Sequence, residues 1–145
     1  MRAGRVYNEG AMSESNILFV CVENACRSQI AQAWARTLGQ GRVRAFSAGS
    51  KPRGRVDPAA IEVMREVGIA IDGHASKGLD QLPPLTWDAI VTMGCGDACP
   101  SLPAKQRIDW QIPDPARQPI AVYRQVRQQI EERVRALLSQ LPLAS

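Results

Sequence analysis

Aromatic residues are scarce in this 145-residue sequence: three tryptophans, two tyrosines and two phenylalanines. That leaves little material for an aromatic-walled ligand site. Long hydrophobic runs are absent too. The longest uncharged apolar stretch, residues 16–22, is far too short to cross a bilayer, so no membrane partner is expected. The first fifteen residues contain no apolar segment of the kind that marks a secretory signal. Residues 1–15 are therefore expected to be a disordered N-terminal extension, with Met12 a candidate natural start. The net charge of +4 is spread along the chain rather than gathered into a Lys/Arg run with interleaved aromatics, which argues against a nucleic-acid partner. No repeat, low-complexity tract or linker divides the remainder, so residues 16–141 are expected to form a single domain. Without a secretory signal the expected location is the cytoplasm. In that reducing compartment the four cysteines read as catalytic, redox-active or metal-bound rather than as disulfide staples.

What the sequence does contain is an alternation of strand and helix patterns. Ile17 to Val20 is continuously apolar, as expected of a strand buried on both faces of a parallel sheet. From Ser28 the apolar positions Ile30, Ala31, Trp34, Ala35 and Leu38 recur at helical spacing, and Gly39 stands where a left-handed helix terminus is expected. Arg42 to Ser47 reads as a second strand, followed by a turn at Ala48-Gly49 and a basic loop from Lys51 to Arg55. Asp57 and Pro58 predict the N-cap and first position of another helix, with Ile61, Met64 and Val67 as its buried stripe and Gly68 as its stop. Trp87 to Thr92 reads as a third strand, and Ile108 to Trp110 as a short fourth. Tyr123, Val126, Ile130, Val134, Leu137, Leu138 and Leu141 mark one face of a long final helix, expected to pack lengthwise on the sheet. The pattern predicts an α/β fold with a parallel sheet flanked by helices, whose ligands bind at the carboxyl ends of the strands.

Between the first strand and the first helix stand Cys21, Val22, Glu23, Asn24, Ala25, Cys26, Arg27 and Ser28. A bare Cys-x5-Arg spacing occurs often by chance, but this one joins a buried strand to a helix N-terminus. Backbone N–H groups turned inward there, with the positive helix end and the Arg27 guanidinium, make an anion-binding nest from residues 22–28. The same field favours the nucleophilic thiolate of Cys21. Ser28 is placed to donate a hydrogen bond to that sulfur, and Asn24 to brace the loop. Cys26 reads as a packing residue. His74, the only histidine, reads as a structural hydrogen-bonding residue in the turn after Gly73.

The segment ILFVCVENACRSQIAQAW resembles the start of the low-molecular-weight protein tyrosine phosphatase family and, within it, the arsenate reductase branch coupled to thioredoxin. The similarity runs on through Ser47-Ala48-Gly49, Asp57-Pro58, Gly73-His74, residues 87–100 and Asp114-Pro115, covering nearly everything from Ile17 to Leu138. The resemblance implies a four-stranded parallel sheet with flanking helices, Cys21 as nucleophile and the loop with Arg27 as oxyanion binder. It also implies that Asp114, in its Asp-Pro pair, is the acid that protonates a departing oxygen. Asp109 is a weaker candidate because it falls in the expected fourth strand.

Two functions remain open on the resemblance. A phosphatase needs only Cys21, Arg27 and Asp114. An arsenate reductase also needs a second thiol to attack the Cys21 sulfur after the arsenate adduct forms. Cys95 and Cys99, just past the third strand, are the candidates. By resemblance Cys95 attacks first and Cys99 takes over, leaving a Cys95–Cys99 pair for thioredoxin, with Gly94 and Gly96 easing the strain of so short a bridge. The better-known thioredoxin-coupled members carry a longer stretch between these cysteines. Gln29 stands where the family's phosphatases usually carry proline, and no tyrosine follows Asp114-Pro115; both favour a small inorganic substrate, arsenate or phosphate. Gln32 and Lys77 occupy positions that hold potassium in some relatives, and neither is a carboxylate. A zinc site of Cys21, Cys26, Cys95 and Cys99 would sit in a field that attracts anions. No metal and no tightly bound cofactor are therefore expected, only an external thiol reductant.

Overall fold

A computed structural model describes residues 14–94 and 102–141. The chain runs through β1 (Ser15–Cys21), α1 (Arg27–Leu38), β2 (Val43–Gly49), α2 (Pro58–Glu66), a single 3-10 turn at Leu79–Gln81, β3 (Trp87–Thr92), β4 (Ala104–Asp109) and α3 (Ile120–Gln140). The four strands form one parallel sheet in the order β2-β1-β3-β4. The chain therefore steps to one side of β1 to make β2 and returns to its other side to make β3. That reversal puts a crevice at the carboxyl end of β1, where parallel α/β sheets hold their ligands.

Strand β1 is apolar from Ile17 to Cys21 because both faces of the sheet are covered. Ile17 and Phe19 point into the main core, shared with Ile30 and Ala31 of α1, Val63 and Met64 of α2, and Val126, Ile130 and Val134 of α3. Leu18 and Val20 point the other way, into a smaller cluster with Trp87 and Ile90 that Leu79, Leu82 and Leu85 cover. The long helix reaches the core as expected. Beyond that, Tyr123 on α3 donates from its hydroxyl to Asp57 Oδ2 at 2.7 Å, while Asp57 Oδ1 accepts from Ala59 N at 2.9 Å as the N-cap of α2. One buried carboxylate thus starts α2 and fastens it to α3.

Several local expectations need correction. The fourth strand is Ala104–Asp109 rather than Ile108 to Trp110. It is an edge strand with mostly exposed, polar side chains, so it carries no alternating hydrophobic signal, and Trp110 lies just beyond it, packed on Phe19 with ring centroids 5.8 Å apart. The second strand continues through Ala48 to Gly49 before the chain turns. Gly39 is not left-handed: its φ is −105°. A Cβ there would lie 2.6 Å from Val43 Cγ2 and 2.8 Å from the Ala35 carbonyl, so glycine serves close approach. Gly68, by contrast, has the positive φ of 81° that favours glycine at a helix end. Val67 is 39% exposed and does not join the stripe, because the helix stops at Glu66. The first strand begins at Ser15, one residue inside the expected extension; residues 1–13 lie outside the described residues.

Replacing Tyr123 with phenylalanine keeps the ring and removes the donor to Asp57. The variant is expected to lose about 2 kcal/mol of unfolding free energy, in the range for a buried hydrogen bond to a charged group. Urea denaturation, with an unchanged m-value, checks this.

Candidate active site at the carboxyl end of the first strand

β1 ends on Cys21 and α1 begins on Arg27, and the residues between them turn in the crevice. Every carbonyl of that turn is held from outside. The Ser50, Lys51, Arg53 and Asp57 amides donate to the carbonyls of Cys21, Val22, Glu23 and Ala25 at 3.3, 2.7, 3.0 and 2.8 Å. Gln29 Nε2 donates to the Asn24 carbonyl at 3.2 Å, and the Ile30 amide to that of Cys26 at 2.9 Å. In a trans peptide the N–H points opposite the carbonyl. Holding the carbonyls outward therefore turns the N–H groups of residues 22–27 toward the pocket, and among the described residues none of them has an acceptor. Gly49 lets the end of β2 come this close, since a Cβ there would sit 2.6 Å from the Val22 carbonyl oxygen and 2.8 Å from the Asn24 amide nitrogen.

Asn24 makes the turn possible and sets its polarity. Its φ of 49° lies in the left-handed region that asparagine tolerates better than most residues. Its Oδ1 accepts from the Lys77 amide at 2.9 Å and from Gln29 Nε2 at 3.0 Å, which leaves Nδ2 to donate to Ser28 Oγ at 2.8 Å. The Ser28 hydroxyl, accepting there, is free to donate to Cys21 Sγ at 2.9 Å. Gln29 is wholly buried; its Nε2 also donates to the Ala75 carbonyl at 2.9 Å, and its Oε1 accepts from His74 Nδ1 at 3.0 Å. Burial, with Arg36 and Lys77 nearby, pushes His74 below its ordinary value, which favours the neutral ring.

Arg27 is buried beside the loop. It donates from Nη1 to the Ile112 carbonyl at 3.1 Å and lies 3.7 Å from Asp114 Oδ2. Gly94, with φ of 78°, backs the guanidinium so closely that a Cβ would stand 2.7 Å from Nη1. Gly94 thus serves contact with Arg27 in addition to any local unwinding. Asp114 is half-exposed, and its Oδ1 accepts from the Ala116 amide at 3.0 Å. The Cys26 thiol is pushed well above its ordinary value by burial first and then by Asp57 and Cys21, which keeps it protonated and fits the packing role. Between the loop, Arg53, Asp57 and Asp114 lies a small cavity of about 20 Å³.

Residues 16–144 match the family described as low molecular weight phosphotyrosine protein phosphatase. The chain belongs to that family. It is 40% identical over 128 residues to the glutaredoxin arsenate reductase of Synechocystis, covering 86% of this chain and 97% of the relative. Among solved structures it resembles an arsenate reductase in the phosphate-binding state, with a TM-score of 0.80 and 37% identity over 88% of this chain and 99% of the other. It also resembles the thioredoxin-dependent arsenate reductase of Corynebacterium glutamicum, with a TM-score of 0.70 and 33% identity over 87% of this chain and 61% of the other.

Of the residues singled out in the sequence, Cys21, Arg27, Ser28 and Asp114 come together at this family's loop. Cys95 and Cys99 lie outside the described residues. Asp109 is turned to other work, accepting from Thr92 Oγ1 and Gln111 Nε2. Gln32 accepts from Ser47 Oγ at 2.6 Å, and Lys77 Nζ donates to the Ala75 carbonyl, so both serve the network behind the loop. Sequence reading missed Arg53 and Asp57 as pocket residues. The signal was there: both follow the carboxyl end of a strand next to β1.

Two outcomes follow. Asn24→Ala removes the left-handed asparagine and the Ser28 contact, and inorganic phosphate should bind about tenfold more weakly by calorimetry, roughly 1.4 kcal/mol. Because the fold favours the neutral His74 ring, the unfolded chain binds the extra proton and stability falls as pH drops through the ordinary histidine value near 6.5. His74→Asn should flatten that slope in denaturation curves measured from pH 7.5 to 5.

Proposed function

We propose that this chain is a cytoplasmic arsenate reductase whose catalytic domain is residues 16–141 and whose working residues are Cys21, Arg27, Asp114, Cys95 and Cys99. The observation that carries the reading is the Cys21 thiol, held by Ser28 at the floor of inward-facing N–H groups beside a buried arginine. The arsenate reductase relatives support it. So does a loop cavity in which no described lining residue is aromatic.

Arsenate binds with its oxygens on the amides of residues 22–28 and on Arg27. Cys21 Sγ attacks arsenic, Asp114 gives its proton to the departing oxygen, and water leaves as the sulfur–arsenic bond forms. A thiolate at Cys95 then attacks Cys21 Sγ. The sulfur–arsenic bond breaks, its electron pair goes to arsenic, and arsenite leaves behind a Cys21–Cys95 disulfide. Cys99 attacks Cys95, frees Cys21 as a thiolate, and leaves a Cys95–Cys99 disulfide. An external dithiol of the thioredoxin type reduces that pair and is itself oxidised, which supplies the two electrons of the turnover. No tightly bound cofactor takes part. Gly94, in contact with Arg27, is followed in sequence by Cys95.

The test is arsenate-dependent NADPH oxidation with thioredoxin and thioredoxin reductase, beside aryl-phosphate hydrolysis. Cys95→Ser and Cys99→Ser are expected to lose arsenate turnover and keep hydrolysis, Cys21→Ser to lose both, and Asp114→Asn to lower hydrolysis about a hundredfold. Brisk hydrolysis with no arsenate turnover in the wild type would make the chain a phosphatase instead.

A further inference from the structure

Glu23 is an unexpected side chain to find in an anion-binding loop. It lines the pocket, and a bare carboxylate at that position would repel an incoming dianion. Arg53, which also lines the pocket, answers it: Arg53 Nη2 donates to Glu23 Oε1 at 2.5 Å. The pair is held from behind as well. The Arg53 amide donates to the Glu23 carbonyl at 3.0 Å, Ser76 Oγ donates to the same carbonyl at 2.9 Å, and the Gly54 amide donates to Ser76 Oγ at 3.1 Å. The two backbones are tied together, so the charged side chains meet without having to search for each other. Their side chains are 34% and 48% exposed, which places the pair at the mouth rather than on the floor.

We propose that the Glu23–Arg53 pair is the substrate filter of this site, admitting a free inorganic oxyanion and disfavouring a phosphate ester with an organic group. This deepens the reading of the loop as an oxyanion site and rests on it. As a neutral pair, Glu23 and Arg53 remove the repulsion that Glu23 alone would exert. The fourth oxygen of a free oxyanion can face these charges and the water around them. An aryl or alkyl substituent leaving through the mouth would instead cover two charged groups and strip their water, with no aromatic ring among the described lining residues to compensate.

Calorimetric titration of the reduced full-length chain with inorganic phosphate and with phenylphosphonate, which cannot be hydrolysed, tests the filter. Arg53→Gln leaves Glu23 bare; phosphate should bind about fivefold more weakly, and the loss should shrink in high salt. Glu23→Gln/Arg53→Gln removes both charges at nearly constant size. Relative to Arg53→Gln it should recover most of the phosphate affinity, and the ratio of phenylphosphonate to phosphate affinity should rise about fivefold over wild type. A ratio within twofold of wild type in the double variant, or unchanged phosphate binding in Arg53→Gln, overturns the filter while the oxyanion site stands. Absence of phosphate binding in the wild type overturns both.

Discussion

The outward hold on the carbonyls of Cys21 to Cys26 is the interaction on which the site depends, because it converts a stretch of ordinary peptide into a set of converging donors. Four of those carbonyls are held by the segment that follows β2, and that segment reaches them only because β2 pairs in register with β1 up to Cys21 and Gly49. A donor set made this way is already oriented before an anion arrives, so little reorganisation is needed on binding. The sheet, Gly49 and the 50–57 segment are thus parts of the binding site, although only a few of their atoms face it.

The site also sorts its ionisable groups by environment. Two thiols lie close together at the loop, yet among the described residues only Cys21 has a hydrogen-bond donor aimed at its sulfur, while burial and the nearby Asp57 carboxylate keep Cys26 neutral. Three carboxylates border the cavity as well, and Glu23 is taken up by Arg53. Asp57 is buried and occupied by Tyr123 and its own helix N-terminus, whereas Asp114 is half-exposed and close to Arg27. Of these last two, Asp114 is the one open to solvent and ligand.

The strand, loop and helix around Cys21 were legible in the sequence because three independent signals coincide there: a doubly buried strand, a polar turn and an amphipathic helical pattern. The residues from Cys21 to Ser28, and Asp114 that the fold brings beside Arg27, could be named on those signals and the family resemblance. The polar backing was harder to read. Gln29 and His74 are neighbours only through the fold, and the bonds between the loop and residues 50–57 use backbone groups that carry no side-chain signature. The edge strand β4 escaped for a related reason, since a strand whose side chains are mostly polar and exposed on both faces has no hydrophobic period to detect. Gly39 shows the limit of rules based on residue type: glycine at a helix end can mean a left-handed turn or a tight contact, and only packing distinguishes them.

The same polar edge bears on how copies of this protein behave toward one another. An open parallel sheet has two unsatisfied rims, each able to template a strand from another molecule. Here one rim, β4, presents Lys105, Gln106 and Arg107, and at the other Arg36 reaches across from α1 to occupy the Ala45 carbonyl of β2. Charged side chains at one rim and an occupied carbonyl at the other disfavour the backbone contacts that would extend the sheet from chain to chain. The sequence bias that hid β4 from pattern reading is also protection against fibre-like aggregation.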